Sequence, residues 1–300
     1  FVDGRYTLQV QDQIDDGLFD PRHVTESPPH EWIAENLEAG AVLGYDSWLH
    51  TPDAVDRLRA ACDHARAQFR AADGNPVDAI WTDQPARPLA PVQIHDFRHA
   101  GRDSKQKRDA VQQEISNLAA DAVILTAPES ICWLLNIRGG DVPNTPLTLC
   151  YAILGGDGGV DLFIDERKLT PEALRAFDGD IRVQSPDRLG PMLDERGTAG
   201  HKILLDPKSA SSWIFDRLKA SGATIVKGDD PCILSKSCKN ETELAGTRAA
   251  HIRDGAALCR FLAWLAREAP AGRVDELSAV ERLYEFRTEN DLFQGGSFDT

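Results

Sequence analysis

Ala122-Val123-Ile124-Leu125 is the stretch that decides the fold, because an uninterrupted run of four apolar residues predicts a buried β-strand. A helix is predicted directly before this strand, over residues 104–119. Further strands are predicted over residues 148–154, 160–164 and 202–205, and further helices over residues 186–195 and 209–220. Strands and helices that alternate in this way are typical of layered α/β domains, so residues 88–235 are predicted to form one.

The first region, residues 1–87, also has α/β character. Residues 41–44 predict a strand, and residues 51–70 predict a helix. The helix has apolar residues near helical spacing at Val55, Leu58, Ala61, Cys62 and Ala65. Between residues 84 and 103 several prolines and a glycine interrupt any sustained periodicity, which predicts a linker and places a domain boundary near residue 88.

The two regions repeat each other at a constant offset of 160 positions. Asp46 corresponds to Asp206, and residues 56–60 (DRLRA) align without gaps to residues 216–220 (DRLKA). Both copies predict a strand, then an acidic turn, then a helix. An ungapped match across a strand end and a helix favours duplication over chance similarity between amphipathic helices, so two related domains in tandem are predicted.

A third segment, residues 236–300, differs in character from the first two. Asn240 and Glu243 predict a capping arrangement for a helix that ends near Ala269. One face of this helix carries a small-residue stripe suited to close packing on a sheet, formed by Ala245, Ala249, Ile252, Ala256, Cys259 and Ala263. Gly255 costs the helix roughly 1 kcal/mol relative to alanine, so a tight backbone contact is expected to offset that loss.

A second helix is predicted over residues 275–289, with Leu277, Val280 and Leu283 on one side. Residues 295–300 then predict a loop that enters a strand. Two helices and one strand cannot enclose a core, so this third domain is predicted to be incomplete. The first domain is also expected to be incomplete at its start, because the chain opens on Phe1 without a methionine.

Composition limits the function classes that fit a chain of 300 residues, of which 42% are hydrophobic. The formal net charge of −15 argues against a nucleic-acid partner, which would need clustered Lys and Arg. No apolar run reaches the ~18 residues of a membrane span, so no membrane partner is expected. The six cysteines are scattered without a regular spacing, which favours reduced core thiols and a cytoplasmic location.

Five motifs in order resemble the three-domain form of aminopeptidase P, the Xaa-Pro aminopeptidases of the creatinase and prolidase superfamily. They are FVDGRY (1–6), DAIWTDQP (78–85), WLLNIRG (133–139), DVP (141–143) through Pro146, and KNE (239–241) leading into RAAHIRD (248–254). Each motif alone is moderately specific, but their order over essentially the whole chain makes coincidence improbable.

This resemblance implies two tandem creatinase N-terminal-like α/β domains, residues 1–87 and 88–235, followed by the start of a pita-bread (α+β) catalytic domain, residues 236–300. Such enzymes remove the N-terminal residue that precedes proline, using two manganese ions held by Asp, Asp, His, Glu and Glu. A hydroxide that bridges two metals is a strong nucleophile at neutral pH, and the metals also polarise the scissile carbonyl.

The five metal ligands of the family are expected beyond Thr300. The resemblance therefore assigns no catalytic, cofactor-binding or metal residue to this chain, and the chain alone is expected to be inactive and to bind no manganese. Its expected partners are a peptide substrate with proline in the second position and a second copy of itself in a homodimer.

Several residues resemble site residues, and a structural role is favoured for each. His95 and His99 have the spacing of helical metal ligands but lie in the interrupted linker, where that spacing has no helical meaning. Cys232 and Cys238 lack the second ligand pair of a zinc site. His251 is interpreted as a hydrogen-bonded structural histidine rather than a catalytic one.

Two further patterns and the tryptophans also favour structural roles. The sequence Arg138-Gly139-Gly140-Asp141 lacks the spacing of a nucleotide-binding loop and is interpreted as a structural turn. Residues 105–108 (KQKR) are interpreted as a solvated basic face. Core or interface anchors are predicted at Trp32, Trp48, Trp81, Trp133, Trp213 and Trp264.

Two alternatives remain. A non-catalytic module of the same fold would bind peptides or proteins, and it would lack the Asp, Asp, His, Glu, Glu set downstream. The second alternative is another enzyme of the superfamily, such as a creatinase or prolidase. These enzymes usually have one N-terminal domain, so the repeat at offset 160 disfavours this alternative.

Overall fold

The computed structural model describes residues 1–177 and 179–298. Its strands are β1 Val42–Tyr45, β2 Gln68–Ala71, β3 Gln93–Ile94, β4 Ala122–Leu125, β5 Ile137–Arg138, β6 Tyr151–Gly155, β7 Val160–Phe163, β8 Ile181–Gln184, β9 Lys202–Leu205 and β10 Thr224–Lys227. Its helices are α1 Thr7–Gln13, α2 Pro29–Asn36, α3 Pro52–His64, α4 Pro76–Ile80, α5 Phe97–Ala100, α6 Ser104–Asn117, α7 Pro128–Leu135, α8 Pro171–Ala176, α9 Leu189–Thr198, α10 Ser212–Ser221, α11 Cys232–Ser237, α12 Glu241–Glu268 and α13 Glu276–Thr288.

The central sheet has six strands in the order β10-β9-β4-β6-β7-β8. Strand β4 pairs parallel with β9 and antiparallel with β6, so it lies inside the sheet. All four of its residues are buried, which confirms the strand predicted from the AVIL run. The α/β class predicted for this region is therefore confirmed.

Alternate residues of β4 enter different cores, because side chains on a strand point to opposite faces. Val123 and Leu125 join the cluster that includes helix α7, whereas Ala122 and Ile124 join the cluster that includes helix α10. Helices therefore cover both faces of the sheet, as its unbroken apolar strand requires.

The repeat at offset 160 is a strand–helix–strand unit in both copies. The first unit is β1-α3-β2 and the second is β9-α10-β10, and the two strands of each unit pair in parallel. Strand β1 starts at Val42 and β9 starts at Lys202, so the offset found in the sequence is kept in the structure. The predicted order of strand, acidic turn and helix is confirmed in both copies.

Equivalent aspartates hold the turn of each unit in the same way. Asp46 Oδ1 accepts a hydrogen bond from Trp48 N at 2.8 Å, and Asp206 Oδ1 accepts one from Lys208 N at 2.8 Å. The second carboxylate oxygen of each aspartate accepts from the segment after the second strand, from Asn75 Nδ2 at 2.9 Å and from Asp230 N at 3.0 Å. Each carboxylate therefore ties the first strand end of its unit to the second.

The two units contact each other through the loop that follows β1. Ser212 N donates to His50 O at 2.8 Å, and Trp213 N donates to Ser47 O at 3.1 Å. The indole rings of Trp48 and Trp213 stack with centroids 4.0 Å apart. Because the first N–H groups of a helix have no partner within the helix, the loop satisfies donors that α10 would otherwise leave free.

The helix predicted over residues 51–70 is shorter in the structure. Helix α3 ends at His64, and Arg66 adopts a positive φ of 58° that reverses the chain. Gln68 can then pair with Val42 as the first residue of β2. The predicted linker is also less irregular than expected, since it contains the short elements β3 and α5.

The capping box predicted for the third segment is confirmed, because Asn240 and Glu243 exchange side-chain and backbone hydrogen bonds at the start of α12. Helix α13 packs on α12 through Phe286, which is 8% exposed. The ion pair between Arg287 and Asp254, at 2.7 Å, joins the two helices. None of the helices within the described ranges is both long and apolar enough to cross a membrane.

Two expectations for this segment are wrong within the described residues. All six members of the small-residue stripe are exposed, so no sheet covers them here. A Cβ added at Gly255 would meet no atom within 4 Å, so the tight backbone contact expected there is absent from the described part of the chain. Residues 295–298 form no strand, and residues 299–300 of the predicted loop-to-strand segment lie outside the described residues.

Candidate functional site

An open cleft of about 850 Å³ separates the α/β region from helix α12. The α/β side contributes one imidazole just after β3, an arginine and a second imidazole from α5, and an arginine from β5. The helix side contributes a lysine, carboxylates and hydroxyls. The polar lining residues are His95, Arg98, His99, Arg138, Lys239, Glu241, Thr242, Glu243 and Thr247. This concentration of polar groups makes the cleft the candidate functional site.

Strand β3 and helix α5 place the two histidines of the cleft. His95 directly follows β3, and its N–H donates to Asn136 O at 2.7 Å. His99 lies in α5, which begins only at Phe97, so the two histidines do not share a helix. Their rings stack with centroids 6.0 Å apart. The prediction that their spacing has no helical meaning is therefore confirmed.

The half-buried imidazole of His95 is uncharged at neutral pH. Burial, and to a smaller extent the nearby guanidinium of Arg138, lower the pKa of His95 to about 4. A neutral imidazole can donate one hydrogen bond and accept another. His95 is therefore suited to orient a neighbouring polar group rather than to carry charge.

The buried Lys107 stabilises the wall of the cleft on the α/β side. Lys107 Nζ donates to Asn136 Oδ1 at 2.6 Å and to Trp133 O at 2.9 Å, and it lies 4.6 Å from the Trp133 ring centroid. Asn136 has a positive φ of 52° and ends α7, and its Nδ2 donates to Arg102 O at 2.8 Å. Burial lowers the pKa of Lys107 to about 8.

The interpretation of residues 105–108 as a solvated basic face is wrong for two of its members. Lys105 is exposed and pairs with Asp109, as a surface lysine does. Lys107 and Arg108 are only 2% and 1% exposed, because they face the sheet side of α6. Arg108 Nη1 donates to Gly158 O at 3.0 Å and lies 3.6 Å from Asp180.

The turn predicted at residues 138–141 is structural, and its aspartate forms a buried ion pair. Asp141 Oδ2 accepts from Lys168 Nζ at 2.6 Å, from Leu149 N at 2.7 Å and from Thr148 Oγ1 at 3.1 Å. Burial alone would raise the pKa of Asp141, but the hydrogen bonds from Lys168 and Leu149 outweigh it and lower that pKa. A Cβ at Gly139 would lie 2.7 Å from Leu147 O, which explains the glycine.

The start of α12 is fixed to the α/β region by one amide and one glycine. Asn240 Nδ2 donates to Ala100 O at 2.8 Å, beyond its own capping bonds. Gly101 has a positive φ of 65°, and a Cβ there would lie 2.5 Å from Asn240 Oδ1 and 2.7 Å from the Thr242 Cβ. We call this contact between Gly101 and Asn240 the α12 clamp. It sets the width of the cleft at one end.

Replacing Gly101 with alanine is expected to destabilise the α12 clamp. The left-handed backbone alone costs about 1–2 kcal/mol for a residue with a Cβ, and the overlap with Asn240 adds to that. Urea unfolding should show the loss, and amide exchange at the start of α12 should become faster. Gly200→Ala is the matched control, because Gly200 has a φ of 71° and no atom within 4 Å of its Cβ position. Equal losses in both variants would show that the clamp contact contributes nothing.

The remaining residues singled out in the sequence have varied positions. Four cysteines are buried, as expected for core thiols, but Cys238 and Cys259 are exposed, which contradicts that expectation for them. His251 Nδ1 lies 2.9 Å from Thr247 O, so its predicted hydrogen bond is confirmed. Trp133 lies in the core, whereas Trp81 is 46% exposed and is therefore not a core anchor.

Within residues 1–177 and 179–298, no three His, Cys, Asp or Glu side chains lie close enough together to hold a metal ion. The two cleft histidines lie near the cation Arg138, and the polar groups of the cleft are suited to bind and orient a ligand. Sequence reasoning missed the buried Lys107, Asn136 and Lys168; a helix-ending asparagine after the apolar WLL run was the one signal that could have indicated Asn136.

Comparison with a family model matches residues 83–243 to the creatinase/prolidase N-terminal domain. Among solved structures, an X-prolyl aminopeptidase from Caenorhabditis elegans superposes with a TM-score of 0.87 and 27% identity, over 99% of this chain and 50% of that one. That protein is described as a cytosolic enzyme with a di-nuclear active site.

Two fungal proteins, each named "Probable Xaa-Pro aminopeptidase P", match the whole of this chain. The one from Aspergillus clavatus is 34% identical, with 47% of its own length covered. The one from Aspergillus niger is 32% identical, with 50% of its length covered. The chain therefore spans about half the length of the curated relatives it matches.

Proposed function

Because this chain belongs to the creatinase/prolidase N-terminal domain family and is related along its whole length to Xaa-Pro aminopeptidase P, we propose that it is the accessory and early catalytic portion of such an enzyme. The whole protein would remove the N-terminal residue that precedes proline from peptides, using two metal ions that we propose to be manganese. The observation that carries the proposal is the superposition with the C. elegans X-prolyl aminopeptidase over 99% of this chain.

We assign two creatinase N-terminal-like domains, residues 1–87 and 88–235, and the start of a pita-bread domain, residues 236–300. The repeated β1-α3-β2 and β9-α10-β10 units support two related domains. The face of α12 and α13 that carries Ile252 and Leu277, which are 75% and 76% exposed, is of the kind that a catalytic sheet would cover.

The role that this chain plays in the activity is positional. The α12 clamp fixes the first helix of the third segment on the α/β region, and Lys107 with Asn136 fixes the opposite wall of the cleft. Between them lie the neutral His95 and the cation Arg138, where a peptide approaching the catalytic centre would pass. Restricting access in this way favours short unfolded peptides over folded proteins. A homodimer in the cytoplasm is the proposed state.

The proposal is tested with the whole protein, after chelation and again after manganese is added. A tripeptide with proline in the second position should be cleaved after its first residue only with the metal present. The matched tripeptide with alanine in the second position should be cleaved much more slowly. The 300-residue chain alone should release nothing from either peptide.

The rival proposal is a peptide- or protein-binding module of the same fold. It would be favoured if the whole protein bound the proline peptide with or without metal and never cleaved it. Turnover by the 300-residue chain alone would contradict the placement of the catalytic centre outside these residues. Size measurement in solution tests the homodimer separately.

A further inference from the structure

The carboxyl ends of several strands meet at one edge of the six-stranded sheet. Strands β4 and β9 are parallel, and β7 and β8 run in the same direction as β4 because β6 is antiparallel to both β4 and β7. Helix α7 leaves β4 toward one face and α10 leaves β9 toward the other. In open α/β sheets, ligands bind in the crevice outside the carboxyl ends of strands where connections diverge in this way.

A cavity of about 390 Å³ lies at this edge, and we call it the edge cavity. Its apolar lining consists of Pro88, Pro128, Leu149, Tyr151, Phe163 and Pro186. Three of these are prolines, whose fixed φ makes the wall rigid. The volume and the mainly apolar and aromatic lining match those of small-molecule sites, about 300–1,000 Å³. The edge cavity shares no lining residue with the cleft beside α12.

Two polar groups of the edge cavity are available to a ligand. Arg87 is exposed at the cavity and forms no hydrogen bond or ion pair with any described residue. The Tyr151 hydroxyl likewise has no hydrogen-bond partner among them, and burial raises the pKa of Tyr151, so the phenol stays a donor. The other charged lining groups are engaged, since Lys168 pairs with Asp141 and Asp165 pairs with Arg167.

We propose that the edge cavity binds a short peptide that ends in an apolar or aromatic residue. The terminal side chain packs between the prolines and the rings of Tyr151 and Phe163. The free carboxylate lies against the Arg87 guanidinium, which is suited to two parallel hydrogen bonds, and accepts a third from the Tyr151 hydroxyl. A carboxylate is the complementary group because the free charge of the cavity is a single guanidinium.

The test is calorimetric titration of the 300-residue chain with N-acetyl-phenylalanine and, separately, with its amide. The acid should bind saturably and at least ten times more tightly than the amide. Arg87→Gln should remove that preference. Arg188→Gln should keep it, because Arg188 does not line the cavity and pairs with Glu195 at 3.1 Å.

A second variant, Leu149→Trp, fills the cavity from an exposed position, since Leu149 is 43% exposed. It should keep the wild-type melting temperature and lose binding of both probes. Equal binding of acid and amide, an unchanged preference in Arg87→Gln, or absence of saturable binding would each overturn the proposal. Because no metal or turnover is involved, these outcomes are independent of the proposed aminopeptidase activity.

Discussion

Lys168→Met should lower the free energy of unfolding by about 3–5 kcal/mol, because it leaves the Asp141 carboxylate charged and buried without its cation. The Asp141 side chain is 0% exposed and that of Lys168 is 6% exposed, with 2.6 Å between their charged atoms. Methionine keeps the length of the lysine stem, so lost packing adds little. Urea unfolding at neutral pH measures the change.

The exposed ion pair between Lys208 and Asp229, at 2.7 Å, provides the control. Lys208→Met should change the free energy of unfolding by less than about 1 kcal/mol. Adding Asp141→Asn to Lys168→Met should recover part of the loss, since it removes the unpaired charge. A Lys168→Met protein as stable as Lys208→Met would show that the buried pair is not needed.

The pH dependence of this pair has a definite sign. The pKa of Asp141 is lower in the folded protein than in the unfolded chain, so the unfolded chain takes up the proton first as pH falls. The stabilisation is complete above the ordinary carboxyl pKa and is lost as pH falls through the folded value. Asp141→Asn should therefore show a shallower loss of stability at acidic pH than the wild type.

Lys107→Met should destabilise the protein by about 2–4 kcal/mol, because it leaves Asn136 Oδ1 and Trp133 O buried without their donor. Both acceptors lie within 2.9 Å of Lys107 Nζ, and the residue is 2% exposed. The exposed Lys105 is the matched control on the same helix, since Lys105→Met loses only an i,i+4 pair of about 0.3–0.5 kcal/mol. Urea unfolding of the three proteins measures the difference.

The same substitution removes a rise of stability with pH. The pKa of Lys107 is about 8 in the folded protein, below its ordinary value of 10.5, so the unfolded chain holds more protons between those values. This group alone makes the wild type gain stability as pH rises from 8 toward 10.5, and Lys107→Met lacks that gain. Buried thiols act in the opposite direction, but they are common to both proteins and cancel in the comparison. Parallel pH profiles for wild type and Lys107→Met would contradict the role of the ammonium.

Four of the six strands of the central sheet, β4, β6, β7 and β9, were predictable because their signal is local, whereas β8 and β10 were not predicted. The run of apolar residues at 122–125 indicates a strand that is buried on both faces. The matched units at offset 160 indicate the order of strand, turn and helix. Both signals depend only on residues that are neighbours in the sequence. The end of α3 was missed because Arg66 reverses the chain through a left-handed backbone that arginine rarely adopts.

The candidate site was much less predictable, because its residues meet only through the tertiary fold. Lys107 and Asn136 are 29 positions apart, and Lys168 and Asp141 are 27 apart. A lysine that pairs inside the protein has the same local pattern as a lysine on a solvated face, so the sequence assigned Lys107 to the surface. The exposed stripe on α12 was missed for a related reason, since a pattern of small residues does not identify what covers it.

The stacked Trp48 and Trp213 rings give this protein a built-in optical reporter. Two indoles with centroids 4.0 Å apart couple their electronic transitions, and the resulting circular dichroism couplet depends on their mutual distance and angle. Since one ring belongs to the loop of the first repeat unit and the other to a helix of the second, the couplet vanishes when the units separate, even if each keeps its backbone structure. Following it during denaturation would distinguish separation of the halves from their melting without any added label.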